Sequence, residues 1–212
     1  MLRFFLLLVF HCFFFFSCFA QLHDNTWIGG YDGGPTPGDG FGVYVITFTE
    51  GNPLLKENLI TLNLFNDNNT TISDEKGQLI AYTDGFSIEG ANFRLMPGGD
   101  SLHNKYSEYG KYSDDNLPQG LLFLPWPGDR DRIFMLYLGE NICLYNNLTG
   151  YCSTPLSQGL IDLKQNPPIG EVVNKRTVIN TDTFTGGQLA AVRHANGRDW
   201  WIVTGVYDQP LQ

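Results

Sequence analysis

Residues 120–138, GLLFLPWPGDRDRIFMLYL, hold two almost continuous apolar runs on either side of a short turn rich in Pro, Gly and Asp. A strand with one buried face alternates apolar and polar side chains, whereas runs such as LLFL and IFMLYL require cover on both faces. The run WWIV at 200–203 has the same character. The sequence therefore predicts hairpins in sheets that are covered front and back.

The hairpin is the recurring unit of the chain. Apolar segments flank turns predicted at residues 74–77, 127–131 and 196–197. In the last of these, Asn196 and Gly197 form the dipeptide that best tolerates the positive φ angles of a two-residue hairpin. A fourth hairpin is predicted between Cys143 and Cys152.

The composition favours strands over helices. Six alanines stand against 24 glycines and 11 prolines, and no amphipathic helical period of useful length is present. Stacked antiparallel sheets must then supply the cover. The three turns are spaced by about 50 to 70 residues, near the length of one blade with a generous loop. We therefore expect an all-β chain built of antiparallel four-stranded blades of a partial β-propeller, with a β-sandwich as the alternative.

The N-terminus resembles a secretory signal. Arg3 precedes an apolar stretch over residues 4–16, and Cys18-Phe19-Ala20 places small residues at the positions that a signal peptidase reads. The stretch is shorter than the ~20 residues of a spanning helix, so cleavage after Ala20 and no stable membrane insertion afterwards are predicted. Residues 1–20 are then the signal peptide and 21–212 the propeller domain of a secreted or cell-surface protein. Acylation of Cys18 in a lipoprotein is the alternative.

Charge limits the class of partner. Residues 1–20 carry Arg3 as their only charge, so the formal charge of −9 becomes −10 after cleavage. Such an acidic chain is a poor partner for nucleic acid or anionic membrane. The remaining cysteines, Cys143 and Cys152, are expected to form a disulfide across their hairpin in an oxidising compartment, with two free buried thiols as the alternative.

The order of motifs resembles a family. Segments that read D-x-x-G-x-L-x-x-Y-T-D-G (74–85), P-x-P-G (125–128) and H-x-N-G-x-D-x-W (194–201) follow one another along the chain. This succession resembles the N-terminal β-propeller region of large secreted Bacteroidetes-type surface proteins linked to type IX secretion. The resemblance covers most of residues 25–204 and implies a propeller. The chain stops without the family's sorting domain and with few hairpins, which suggests a truncated member.

Candidate sites are few. Tyr106, Tyr109 and Tyr112 recur every third residue in a polar segment, where their rings either stack on sugars or pack as a loop lid. His194 is interpreted as a turn residue whose ring bonds backbone or Asp199. Asn68, Asn69 and Asn147 begin N-x-[ST] sequons. No catalytic residue, metal or cofactor is expected.

These observations favour a non-enzymatic exported module that binds a protein or glycan ligand or serves as a scaffold. The alternative is an enzyme, either a propeller hydrolase or lactonase or a glycan-processing protein. A propeller enzyme requires acidic and His side chains from at least three hairpins within metal-ligand reach.

Intact-mass analysis of the exported product should place its N-terminus at Gln21. The same spectrum recorded with and without reductant should differ by two hydrogens if Cys143 and Cys152 are bridged. Retention of residues 1–20 in a membrane-bound product contradicts the cleavage, and an unchanged mass contradicts the bridge.

Overall fold

The computed structural model describes residues 22–31, 42–49, 52–59, 61, 65, 68–102, 119–145, 148–185 and 187–206. These residues form strands and turns and contain no helix. The strands are β1 (Thr26–Tyr31), β2 (Gly42–Thr49), β3 (Asn52–Leu59), β4 (Thr70–Ser73), β5 (Leu79–Thr83), β6 (Ile88–Gly90), β7 (Leu121–Trp126), β8 (Asp129–Tyr145), β9 (Leu148–Asp162), β10 (Glu171–Asn180), β11 (Phe184–Thr185), β12 (Ala190–Arg193) and β13 (Trp200–Val203).

The strands form four antiparallel sheets that follow one another along the chain. The first sheet has the order β1-β2-β3 and the second β4-β5-β6. The third has the order β10-β9-β8-β7, with β11 also paired to β9, and the fourth is the pair β12-β13. Consecutive strands are neighbours almost throughout, as short hairpin connections require.

The third sheet is buried on both faces. Successive side chains of a strand point to opposite faces, so Ile133 and Met135 enter one hydrophobic core while Leu136 and Leu138 enter another. The first of these cores also contains Ile72, Ala81 and Ile88 of the second sheet, and the other contains Phe184 and Leu189 and contacts Ala191 and Trp200. The cover predicted for LLFL and IFMLYL is confirmed.

A third core joins the first sheet to the second. It contains Ile28, Val43 and Val45 from the first sheet and Tyr82 from the second, together with Phe65. The sheets are therefore stacked face against face in the order in which they occur along the chain.

The cover predicted for WWIV is wrong within the described part of the chain. Trp200 is half-buried against the third sheet, whereas Trp201 and Val203 are 59% and 58% exposed. A two-stranded sheet packs one face on its neighbour, and none of the described segments contacts its other face closely enough to bury it.

Two turns differ in length from their predictions. Trp126 already pairs with Asp129, so the turn before β8 is residues 127–128 and not 127–131. The last hairpin has six residues between its strands instead of two, and within this connection His194 N donates to Asp199 O at 2.8 Å and Gly197 N donates to His194 O at 2.9 Å. Gly197 has a positive φ of 70°, and Asn196 does not.

The hairpin predicted around Cys143 and Cys152 is the β8–β9 connection, in which Tyr145 pairs with Leu148. Cys143 pairs with Gly150, and Cys152 with Asn141, so the cysteines are diagonal neighbours on adjacent strands. Their side chains lie outside the described residues, and the bridge stays a prediction.

The predicted fold class, an all-β chain of antiparallel sheets, is confirmed. The sheets have three, three, five and two strands instead of a regular four, and within the described ranges they do not close into a ring. Within the described part of the chain, no helix is long and apolar enough to cross a membrane.

Replacing Gly197 with Val should lower the free energy of unfolding by about 1 kcal/mol or more, because a β-branched residue is strained at positive φ. Nothing lies within 4 Å of a Cβ added there, so a steric clash cannot explain the loss. Gly197→Asn is the control and should cost less, since Asn tolerates this conformation. Equal urea midpoints for wild type and Gly197→Val would contradict the turn geometry.

Candidate functional site

Three hairpin turns lie around one cleft, which we call the turn cleft. Most of its walls come from the β4–β5, β7–β8 and β12–β13 hairpins, its volume is about 700 Å³, and its lining also includes His23, Ala91, Leu163 and Pro168. These are the three hairpins whose turns were predicted from the sequence. The sequence contains no signal that they lie side by side, because their proximity follows from the stacking of the sheets.

Direct contacts tie the three hairpins together. The indole Nε1 of Trp200 donates to the carbonyl oxygen of Pro125 at 3.0 Å, which links the β12–β13 hairpin to the β7–β8 hairpin. Arg130 and Glu75 form an ion pair with a 3.6 Å separation, which links the β7–β8 hairpin to the β4–β5 turn. The indole bond is half-buried and the ion pair is exposed, so the indole bond is the stronger constraint.

Each turn is held by its own sequence. Oδ1 of Asp74 accepts hydrogen bonds from the backbone N–H groups of Lys76 and Gln78, as in an Asx turn. Gly77 and Gly128 have φ angles of 82° and 78°, which favour glycine.

The turn cleft has a mixed charge. Its basic lining residues are Lys76, Arg130, Arg132, Arg193 and Arg198, and its acidic ones are Asp74, Glu75, Asp129 and Asp131. The whole chain has only 13 Lys and Arg residues and a formal charge of −9. Five of these 13 basic residues therefore line the turn cleft.

Most of these charges lie beside an opposite charge. Arg132 is 3.6 Å from Asp129, and the Lys164 ammonium is 3.0 Å from Asp131. The hydrogen bond with Asp131 raises the pKa of Lys164. Because these side chains are largely exposed, the pairs contribute little to stability and can exchange partners when a ligand arrives.

His194 is a turn residue, as the sequence indicated. Its Nδ1 accepts a hydrogen bond from the backbone N–H of Asn196 at 3.1 Å, and its ring centroid lies 5.3 Å from that of Trp201. The Arg198 guanidinium donates to Asp199 and, together with Asn196, lowers the pKa of that carboxyl. These groups support the turn.

No metal-binding group is found among the described residues, where no three His, Cys, Asp or Glu side chains meet. The tyrosines proposed for ligand stacking, Tyr106, Tyr109 and Tyr112, lie outside the described residues, as does the sequon residue Asn147. Asn68 is buried and Asn69 is exposed.

A buried polar chain was missed from the sequence. Glu89 is fully buried in the second sheet and accepts a hydrogen bond from the hydroxyl of Thr61, which in turn accepts one from the Tyr82 hydroxyl at 3.3 Å. Burial, followed by the neighbouring Glu89 carboxyl, raises the pKa of Tyr82. Nothing in the local pattern GFSIEG marks this glutamate as buried.

Two exposed aromatic residues on the first sheet, Trp27 and Tyr44, were also missed. They line a separate cleft of about 360 Å³. The alternation in GVYVITFT, which puts Tyr44 and Phe48 on one face, was the signal that could have found them.

Comparisons with protein-family models, curated proteins and solved structures found no match to this chain.

Replacing Tyr82 with Phe should lower the free energy of unfolding by about 1 kcal/mol at neutral pH, because the hydrogen bond to Thr61 is lost. The raised pKa means that the unfolded chain releases the Tyr82 proton first, so wild-type stability falls as the pH rises above about 10. Tyr82→Phe lacks this loss of stability. The difference in unfolding free energy between the wild type and the variant should therefore shrink as the pH rises.

Urea unfolding of both proteins at about pH 8 and about pH 11 measures this difference, and the tyrosines common to both cancel. A wild-type advantage that stays constant or grows at the higher pH contradicts the buried polar chain.

Proposed function

We propose that this protein is an exported, non-enzymatic binding module that takes a protein or glycan ligand at the turn cleft. The observation that carries the proposal is the meeting of three hairpin turns from three different sheets around one cleft. Turns held on a rigid scaffold are the usual place for ligand contacts, because they tolerate variation without loss of the core.

The sheet arrangement supports a propeller-like framework for this module. The four sheets are stacked in chain order through three hydrophobic cores, as successive blades are. The turns of the second, third and fourth sheets lie together at one end of the stack, where a propeller has a ligand-binding face.

The charges of the cleft favour recognition of a polar partner. Paired and exposed side chains such as Arg130 and Glu75 provide donors and acceptors of both signs. Charge complementarity of this kind adds specificity and speeds association more than it adds affinity. Binding at this cleft should therefore weaken as the salt concentration rises.

The competing function, a propeller hydrolase or lactonase or a glycan-processing enzyme, has one observation in its favour. Asp129 and Asp131 bring carboxylates to the same cleft as Asp74 and Glu75. Two of these carboxylates, however, lie beside Arg132 and Lys164, so they already have ion-pair partners and are not free to act on a substrate.

Arrays of acidic and neutral glycans and of peptides, probed with the secreted chain, test the proposal. At least one ligand class should bind in a salt-dependent manner, and Arg130→Glu should weaken binding about tenfold or more. Arg94→Glu is the matched control, because it makes the same charge change at an exposed position outside the turn cleft.

Product release from p-nitrophenyl esters, lactones or glycosides distinguishes the enzyme from the binding module. Turnover by the wild type that is lost in Asp129→Asn establishes the enzyme and contradicts the proposal. Equal losses of binding in Arg130→Glu and Arg94→Glu contradict the assignment of the turn cleft.

A further inference from the structure

The outer face of the first sheet carries exposed aromatic rings. Trp27, Tyr44 and Phe48 are 52%, 40% and 37% exposed, and we call these three residues the aromatic face. The register pairs Trp27 with Ile46 and Gly29 with Tyr44, which puts alternate residues of β1 and β2 on this side. The residues between them, among them Ile28 and Val45, enter the core on the other side.

Tyr44 lies down on the sheet because its cross-strand partner is a glycine. A Cβ built on Gly29 would be 2.6 Å from the Tyr44 hydroxyl oxygen and 2.8 Å from Cζ. The far end of the ring therefore occupies the space that a side chain at position 29 would fill, and Gly29 is buried beneath it. One broad side of this ring is left as a platform.

Trp27 is braced beside this platform. Phe48 meets the indole edge-on, with ring centroids 4.9 Å apart and an angle of 68° between planes. Such edge-to-face pairs contribute about 0.5–1.5 kcal/mol beyond the area that they bury. The indole is thus held in place while more than half of its surface stays in solvent, which reduces the entropy lost when a ligand stacks on it.

Polar groups stand at the rim of the same cleft. Asp24, Asn69, Thr70 and Thr71 line it together with Trp27 and Tyr44. The Thr71 hydroxyl donates to the backbone oxygen of Thr26 at 2.9 Å, which holds the start of β4 against β1. Among the described residues that line this cleft, Asp24 and Tyr44 are the only ionisable ones. No described residue lines both this cleft and the turn cleft.

We propose that this cleft binds a neutral saccharide, with a pyranose ring stacked on Trp27 and Tyr44. A pyranose offers an apolar C–H face to aromatic rings and hydroxyl groups at its edge to amide, hydroxyl and carboxylate groups. Asp24 and the formal charge of −9 disfavour uronates and sulfated sugars. The site is independent of the turn cleft and does not require the function proposed for it.

Titration calorimetry with cellohexaose, xylohexaose, mannohexaose and chitohexaose tests the site, using the full chain produced without N-glycosylation so that Asn69 stays unmodified. At least one of these oligosaccharides should bind. Trp27→Ala should weaken binding about tenfold or more. Trp201→Ala is the matched control, since Trp201 is 59% exposed on a different sheet, and it should bind as the wild type does.

Gly29→Ala probes the geometry and keeps both rings. The added methyl group must displace the end of the Tyr44 ring, so binding should weaken although no aromatic group is lost. The strand itself should tolerate alanine, and the urea midpoint checks that each variant is folded.

Three outcomes overturn the proposal. One is the absence of binding at about 10 mM of each neutral oligosaccharide. Another is an equal loss of binding in Trp27→Ala and Trp201→Ala. The last is dimerisation in sedimentation that Trp27→Ala abolishes, which assigns the aromatic face to a second copy of this chain. Salt-dependent binding at the turn cleft is unaffected by any of these results.

Discussion

The rest of the structure depends on burial of β8 on both faces. Its run IFMLYL sends alternate side chains into two different cores, so a sheet must pack on each side. Each large apolar side chain left in water would cost about 1.5–3 kcal/mol, so the cost of exposing six consecutive ones is as large as the whole net stability of a small domain. The second and fourth sheets are placed by this requirement. Their positions then determine where the connecting turns end.

The turn cleft is a consequence of that stacking. Hairpins that pack face against face in chain order bring their turns to a common end, and Trp200 strengthens the arrangement through its bond to Pro125. The turns contain polar residues such as Asp because turn conformations favour Asp, Asn and Gly. The stacking of the sheets brings these residues together in one mixed-charge cleft. The aromatic face, in contrast, does not result from stacking, since it lies on the side of the first sheet that no described residue covers.

Sequence reasoning succeeded where the signal was local and failed where it was not. The turn at Gly77 and the hairpin at Cys143 and Cys152 follow from short-range patterns and were found. Burial of Glu89 depends on Thr61, 28 residues earlier in the chain, and no periodicity expresses that pairing. The prediction for WWIV failed for a related reason. An apolar run indicates that both faces of a strand favour burial, but it does not indicate which segment, if any, packs on each face. Trp201 stays exposed as a result.

By itself the sequence determined the strand-and-turn character of the chain, its negative charge, and the position along the chain of four hairpins, because these depend on residue type, alternation and turn chemistry within a few residues. Only the tertiary structure decided which faces are covered, that three distant turns share one cleft, and that Tyr44 rests on Gly29. Those features depend on register between strands and on packing between sheets, which join residues far apart in the chain.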